Sequence, residues 1–343
     1  MIEHSQNSLY ALLGALLDGA ADEPWVAAWV VAKERSSYRR PGALMLVSPL
    51  GRTLGLVSGG CLEADVALRA RRALEFGRAE YVVYDSAEEG NIAAELGLGC
   101  NGRVGVLVEP VGPVQRRLLA CLRQRMAAGE ASVLIWRIDP RGGTGALAAL
   151  ADPALAVLEA AEAPPDLAPP ADRHELVERD GQLYSLVRIL PPVRLLVAGG
   201  GIDARPLVAF AAALGWRVAV ADHRTIYARP ADFPGAEWIL RAPPEEAELP
   251  PCDAACVMTH NLDLDARWIA RLRRVAGLRY LGLLGPVERR REVLARAGIA
   301  PGDPWAEGVR GPMGLHIGGE LPESVALSTL AECHRELAAV GLL

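Results

Sequence analysis

The sequence predicts two α/β domains, a mixed α/β domain over residues 1–190 and a doubly wound parallel sheet over residues 191–343. Three observations carry this. The chain is too long for one ordinary hydrophobic core. Prolines interrupt it at Ala163-Pro164-Pro165-Asp166-Leu167-Ala168-Pro169-Pro170 and again at Pro191-Pro192, where neither a helix nor a central strand can continue. Beyond those prolines, short apolar runs alternate regularly with amphipathic stretches, the pattern of strand-helix-strand units.

In the first domain, apolar periodicity predicts a helix around Ser8 to Leu17. Strands follow at Trp25 to Lys33, Ala43 to Ser48 and Arg52 to Val57, then a helix at Leu62 to Phe76. Strands at Ala79 to Tyr84 and Val104 to Glu109, a helix around Val114 to Ala127 and a strand at Ser132 to Ile138 continue the mixed order. Short strands at Glu175 to Val177 and Leu183 to Ile189 close the domain.

In the second domain, strands are expected at Arg194 to Ala198, Arg217 to Ala221, Trp238 to Leu240, Ala254 to Met258 and Tyr280 to Leu284. Helices are expected at Ala204 to Leu214, Leu264 to Val275, Val287 to Ala297 and Ser324 to Val340. Between the first strand and helix, Gly199-Gly200-Gly201-Ile202-Asp203-Ala204 fits G-x-G-x-x-G/A. Asp222 lies 18 residues past Ala204, where such folds place the acid that bonds a ribose hydroxyl. Together they predict a Rossmann-like domain and nominate Gly199, Gly201, Asp222, His223 and Arg224 as ligand contacts. Asp203 would sit near a bound pyrophosphate and repel it. His260, in Met258-Thr259-His260-Asn261, and Gly285, in Gly282-Leu283-Leu284-Gly285-Pro286, end neighbouring strands at the edge where parallel sheets bind ligands.

Composition restricts function. Hydrophobic residues make up 51% of the chain and charged residues 23%, a globular balance. A formal charge of -6 and an isoelectric point near 5.6 argue against nucleic-acid and acidic-membrane partners. The basic runs Arg69-Ala70-Arg71-Arg72 and Arg289-Arg290-Arg291 read as solvated helix faces. The apolar stretch from Tyr10 to Ala32 is broken by Asp18, Asp22, Glu23 and Pro24, so no membrane span is expected. Met1-Ile2-Glu3-His4 lacks the basic head of a signal peptide, and six scattered cysteines form no disulfide framework; a cytoplasmic location is expected.

The residues that point most directly to chemistry are Ser58-Gly59-Gly60-Cys61-Leu62-Glu63. A thiol behind two glycines, at a strand-to-helix turn, meets the free N–H groups of the first helical turn, which attract anions and favour a thiolate. Gly97-Leu98-Gly99-Cys100-Asn101-Gly102 is a second glycine-flanked thiol. Metal-ligand spacing and C-x-x-C pairs are absent, so a structural zinc site is not expected. Cys121, Cys256 and Cys333 read as core residues and Cys252 as a loop residue. Asp85-Ser86-Ala87-Glu88-Glu89 reads as a helix cap in preference to a cation holder, and Pro322-Glu323 after Gly314 to Gly319 as the start of the last helix.

These motifs resemble the XdhC/CoxI family of xanthine dehydrogenase accessory proteins over most of the chain. Arg35 to Ala43 is similar to the family's G-S-S-P-R-x-P-G-A, Val57 to Glu63 to its V-S-G-G-C-L-E, and Gly97 to Cys100 to its G-L-G-C. Gly199 to Pro206, Asp222 to Arg224, Val257 to His260, Tyr280 to Pro286 and Gly314 to Gly318 follow in family order. Arg35, Tyr38 and Leu44 depart from it, standing where glycine, proline and lysine are usual.

The resemblance implies a chaperone, without turnover of its own, that binds the molybdenum cofactor (molybdopterin type) as cargo. It would protect the cofactor during sulfuration and assist its insertion into apo-xanthine dehydrogenase or a related molybdenum hydroxylase. A cysteine desulfurase would be the sulfur donor, and a homodimer is compatible with this reading. Ser58, Gly59, Gly60 and Glu63 would then surround the cofactor, with Cys61 and Cys100 as molybdenum contacts. Two rivals stand beside it: an NAD(P)-dependent oxidoreductase built on Gly199 to Ala204 and Asp222, with His260 as the candidate hydride-transfer partner, and a purely structural adaptor.

Overall fold

The computed structural model describes residues 7–19, 23–35, 37–85, 102–139 and 146–343. The chain divides into two compact units, one within Gln6–Pro191 and one running from Pro192 to Leu343.

The first unit begins with α1 (Leu9–Leu17), whose Ser8 hydroxyl caps it by accepting the Ala11 N–H at 3.3 Å. Then come β1 (Val26–Glu34), β2 (Leu44–Val47), β3 (Thr53–Gly55), α2 (Glu63–Phe76), β4 (Glu80–Asp85), β5 (Arg103–Pro110) and α3 (Pro113–Ala128). After them run β6 (Ser132–Ile138), β7 (Ala146–Ala151), β8 (Val157–Ala160), β9 (His174–Arg179) and β10 (Gln182–Ile189). They form two antiparallel five-stranded sheets, ordered β3-β2-β1-β5-β4 and β8-β7-β6-β10-β9. Strands β7 and β8 were not expected. The run Ala146-Leu147-Ala148-Ala149-Leu150-Ala151 has weak intrinsic strand preference, and its place is set by pairing with β6.

Alternation along β1 serves two cores. Trp25, Ala27, Trp29 and Val31 join Leu12, Leu13 and Leu16 of α1, Leu118 and Leu122 of α3, and Leu134 and Trp136 of the second sheet. Val26, Ala28 and Val30 meet Val66, Ala70 and Ala73 of α2 on the opposite face. The Trp29 and Trp136 rings, 5.3 Å apart and tilted by 53°, join the two sheets. A bulge at Val31 turns its carbonyl out of the first ladder. Ser185 Oγ (2.5 Å) and His174 Nε2 (3.1 Å), both from the second sheet, donate to it. A backbone oxygen that would otherwise be buried and unpaired thus ties the sheets together.

The second unit is β11 (Arg194–Ala198), α4 (Ala204–Ala213), β12 (Arg217–Ala221), β13 (Trp238–Leu240), β14 (Ala254–Val257), α5 (Leu262–Leu272), β15 (Tyr280–Leu283), α6 (Val287–Arg296), α7 (Pro304–Glu307), β16 (Val309–Arg310) and α8 (Pro322–Ala339). Its six strands are all parallel, in the order β13-β12-β11-β14-β15-β16, the doubly wound arrangement expected. Helices α4 and α8 bury Leu207, Val208, Leu330 and Leu337 on one face. Helices α5 and α6 bury Trp268, Ile269, Leu272 and Val293 on the other. The two-residue β16 was not expected, being too short to register as a strand pattern.

Neither arginine run is simply a solvated face. Arg69 Nε donates to Asp65 at 2.6 Å and its guanidinium reaches Glu80, while Tyr84 OH shares the same Asp65 oxygen. Arg290 is held by the carbonyls of Val309 and Ala306, at 2.8 and 2.5 Å. Asp85 ends β4, pairing with Arg35 at 2.9 Å; residues 86–89 of that expected cap lie outside the described residues.

Glu109 of β5 is the anomaly of the first unit: 2% exposed, with the Leu147 N–H donating to it at 3.4 Å. Burial pushes its carboxyl up to about 7, partly offset by that hydrogen bond. The carboxyl is neutral in both folded and unfolded chains below about pH 4.5, and only the unfolded one ionises as pH rises towards 7. Stability associated with Glu109 is therefore fully present below pH 4.5 and lost as pH rises through about 7. Glu109→Gln should remove that loss, an effect of about 3 kcal/mol at most. Denaturant unfolding from pH 5 to 8 should show the variant gaining steadily on the wild type; parallel curves would refute the assignment.

Candidate functional site

At the start of α2, Ser58 organises the glycine-cysteine turn. Its Oγ accepts the N–H groups of Gly60 (3.2 Å), Cys61 (3.1 Å) and Leu62 (3.1 Å) and donates to Glu63 Oε2 at 2.6 Å. Glu63 Oε1 accepts the N–H of Val57 (3.2 Å) and of Ser58 (2.8 Å). N–H groups at this turn were expected to attract an anion. They are already satisfied from within, so Ser58 and Glu63 here act as the lock of the turn.

What the lock presents is Cys61. It is exposed, whereas Cys252, Cys256 and Cys333 are buried and Cys121 is half-buried. Burial pushes the Cys252 thiol up to about 11 and that of Cys256 to about 12, and raises those of Cys121 and Cys333. Cys252 is the loop residue expected, just before β14, and is buried in the core cluster that also holds Ala247 and Ala255. Gly60 adopts φ +110, left-handed, and a Cβ there would meet nothing within 4 Å. Beside it, a Cβ on Gly59 would lie 3.6 Å from the Tyr38 ring. Cys100, the proposed companion thiol, lies outside the described residues. Among those described, no three His, Cys, Asp or Glu side chains gather as a metal-ligand set.

In the second unit, Gly199 follows β11 and His260 follows β14, adjacent parallel strands where the sheet reverses direction. The fingerprint acid Asp222 is fully enclosed. Oδ2 accepts the Gly200 N–H (3.0 Å) and Arg224 Nη2 (2.7 Å); Oδ1 accepts the Arg224 N–H (3.0 Å) and Nε (2.9 Å). Burial alone would raise its pKa, but the hydrogen bonds from Arg224 and Gly200 outweigh that and hold the carboxyl below its ordinary range. A carboxylate offers about four acceptor sites, and all are used, leaving none for a ribose hydroxyl. A Cβ on Gly200 would meet the Tyr227 carbonyl oxygen at 2.1 Å. The backbone after β12 therefore packs against Gly200, the variable position between the first and second glycines of the turn.

Arg224 stacks over Tyr227, 4.3 Å from the ring centroid, and its guanidinium is committed to Asp222. His223 is half-exposed, with Nδ1 3.9 Å from Asp222. Gly201 faces His260, whose Cδ2 would lie 3.9 Å from a Cβ there. Asp203 Oδ2 and His260 Nε2 are 2.9 Å apart, and His260 holds a left-handed φ of +60. Gly285, at φ +122, leaves room for Arg289, which donates to buried Asp265 at 2.6 Å. Asp265 also accepts from Thr259 Oγ1 (2.6 Å) and N–H (3.1 Å). Sequence reading missed this Thr259-Asp265-Arg289 lock. Its signal was a carboxylate between Leu264 and Trp268 on the apolar face of α5.

Comparison with known proteins gives the affiliation. Residues 195–333 match the XdhC Rossmann domain, and residues 19–85 match the XdhC and CoxI family. A Bacillus subtilis (strain 168) protein, described as a probable subunit of xanthine dehydrogenase, is 32% identical over 335 residues, 95% of this chain and 96% of the relative. The chain belongs to the XdhC and CoxI family. A crystal structure described as that of a xanthine dehydrogenase from Bacillus halodurans, 29% identical, superposes with a TM-score of 0.77 over 97% of this chain and 96% of that one. The uncharacterized protein YqeB of Escherichia coli (strain K12) is 29% identical over 144 residues, 40% of this chain and 26% of its own.

Departures from the XdhC and CoxI pattern acquire physical content. Arg35 stands at φ +62, a conformation that suits the usual glycine, and its guanidinium pairs with Asp85. Leu44, where lysine is common, is 1% exposed and packs with Leu12 and Leu46, an apolar setting. Tyr38 is 72% exposed and places its ring against the Cys61 turn.

Two substitutions test the locks. Ser58→Ala orphans three N–H groups and should cost about 1–2 kcal/mol in denaturant unfolding. Asp222→Asn leaves Arg224 without its carboxylate and should cost about 3 kcal/mol or more. Unchanged unfolding midpoints would sink the corresponding lock.

Proposed function

We propose that this protein is a non-catalytic accessory factor that binds the molybdenum cofactor as cargo. It would guard that cargo while a cysteine desulfurase supplies its terminal sulfur, then help insert it into apo-xanthine dehydrogenase or a related molybdenum hydroxylase. The supporting observation is the exposed Cys61 thiol, held on a turn locked by Ser58 and Glu63, in a chain that matches a probable subunit of xanthine dehydrogenase along nearly its whole length. A thiolate is a fitting soft ligand for a thiophilic metal centre, and the open side of Gly60 leaves room for a bulky ligand beside it. Ser58 and Glu63 contribute by fixing the backbone that carries the thiol, with Gly59 and Gly60 allowing close approach.

Support for the oxidoreductase alternative is weaker. Its acid, Asp222, is committed to Gly200 and Arg224, and its candidate histidine, His260, faces Asp203. Among the described residues, no helix is long and apolar enough to cross a membrane.

The test is loading. Purified from a host that makes the cofactor, the wild-type chain should carry pterin measurable by fluorescence after oxidation. Cys61→Ser should carry at least about tenfold less, as expected when a metal-ligand contact is lost, with its unfolding midpoint unchanged. Wild-type protein that carries no pterin, and takes up none from free cofactor, would overturn the proposal.

A further inference from the structure

A cleft of about 480 Å³ opens in the first unit, where the loop 37–42 meets the ends of β9 and β10. Its floor depends on Gly42, at φ +93, where a Cβ would crowd Val187 (3.0 Å) and Ile189 (3.1 Å). Glycine lets the loop descend onto β10.

Four cations line this cleft: Lys33, Arg40, Arg173 and Arg188. Among the described residues none of them has a carboxylate within 4.0 Å, whereas Arg123, Arg194, Arg217 and Arg224 each have one. The single acid in the lining, Asp172, accepts the backbone N–H of Arg173 at 2.8 Å. Arg188 Nη2 donates to the Pro170 carbonyl at 3.3 Å, while its Nε is shut off from solvent without a partner. Burial, and after it the neighbouring Arg40, lower the pKa of Arg173, with Asp172 acting against them. On a chain of net charge -6, four cations against one carboxylate in a concavity run against the average.

We propose that this cleft binds a phosphate monoester of a small organic molecule, with Arg40, Arg173 and Arg188 on the phosphate and Leu9, Pro41 and Ile189 against the organic body. Planar guanidinium forks match phosphate oxygens, and a dianion relieves the repulsion among the four cations. The volume exceeds what a lone phosphate needs and falls in the range of small-molecule sites. Binding here needs nothing from the cofactor proposal, although the loop that carries Arg40 also sets Tyr38 against the Cys61 turn.

Phenyl phosphate and inorganic phosphate serve as probes in calorimetric titration of the full chain, with chloride at matched ionic strength as the blank. Phenyl phosphate should bind saturably and more tightly than inorganic phosphate. Arg40→Ala and Arg173→Ala should each weaken it about tenfold or more, while exposed Arg274→Ala, in the other unit, leaves it unchanged. Wild-type unfolding midpoints in the variants confirm that the loss is local. No saturable binding, binding within twofold of wild type in both cleft variants, or equal affinity for the two probes would overturn the assignment. Because pterin loading and Cys61 are not read, the cofactor proposal can fail while this one stands.

Discussion

At three turns that carry candidate ligand contacts among the described residues, one constraint recurs: backbone N–H groups ahead of a helix, once shielded from water, must find an acceptor. At α2 the acceptors are Ser58 Oγ and Glu63; at the glycine turn before α4, Asp222; at the turn before α5, Asp265. Each oxygen comes from the chain itself. Leaving one such group buried and unpaired would cost about 1–3 kcal/mol, so these side chains hold the turns in one geometry. The same rule operates at the Val31 bulge, where Ser185 and His174 take up a displaced carbonyl and couple two sheets that share no ladder.

That constraint redistributes the functional evidence. Glycine-rich turns ahead of helices ordinarily advertise anion sites. Here the cradle behind Gly59 and Gly60 is filled by a hydroxyl, and the Rossmann-like turn is filled by a carboxylate that itself holds an arginine. What remains available at the first turn is the side chain it displays. The contrast with the buried thiols at Cys252, Cys256 and Cys333 is one of solvation: burial disfavours their thiolates, whereas Cys61 stands in solvent on a rigid platform.

Much of the fold was legible because periodicity reports burial directly. Alternation in β1, the apolar stripe of α5 and the regular spacing of strands beyond Pro192 each follow from which face meets a core. Strands β7 and β8 were not legible, because alanines carry little strand preference and pairing with β6 supplies what they lack. Glu109 was invisible for the opposite reason: an acid in an apolar run looks like a strand edge until both sheets close over it.

By itself, the sequence determined the two α/β architectures, the doubly wound order of the second and the family, because apolar spacing and short glycine motifs are local properties of the chain. It also singled out Cys61. Tertiary structure alone decided which polar groups were already spoken for: that Asp222 faces Arg224, that Ser58 fills its own cradle, and that Arg40, Arg173 and Arg188 converge with Lys33 around a single acid, Asp172. The reason is physical. Whether a charge or an N–H is satisfied depends on groups brought close by folding, often far away in sequence, and no local pattern encodes that meeting.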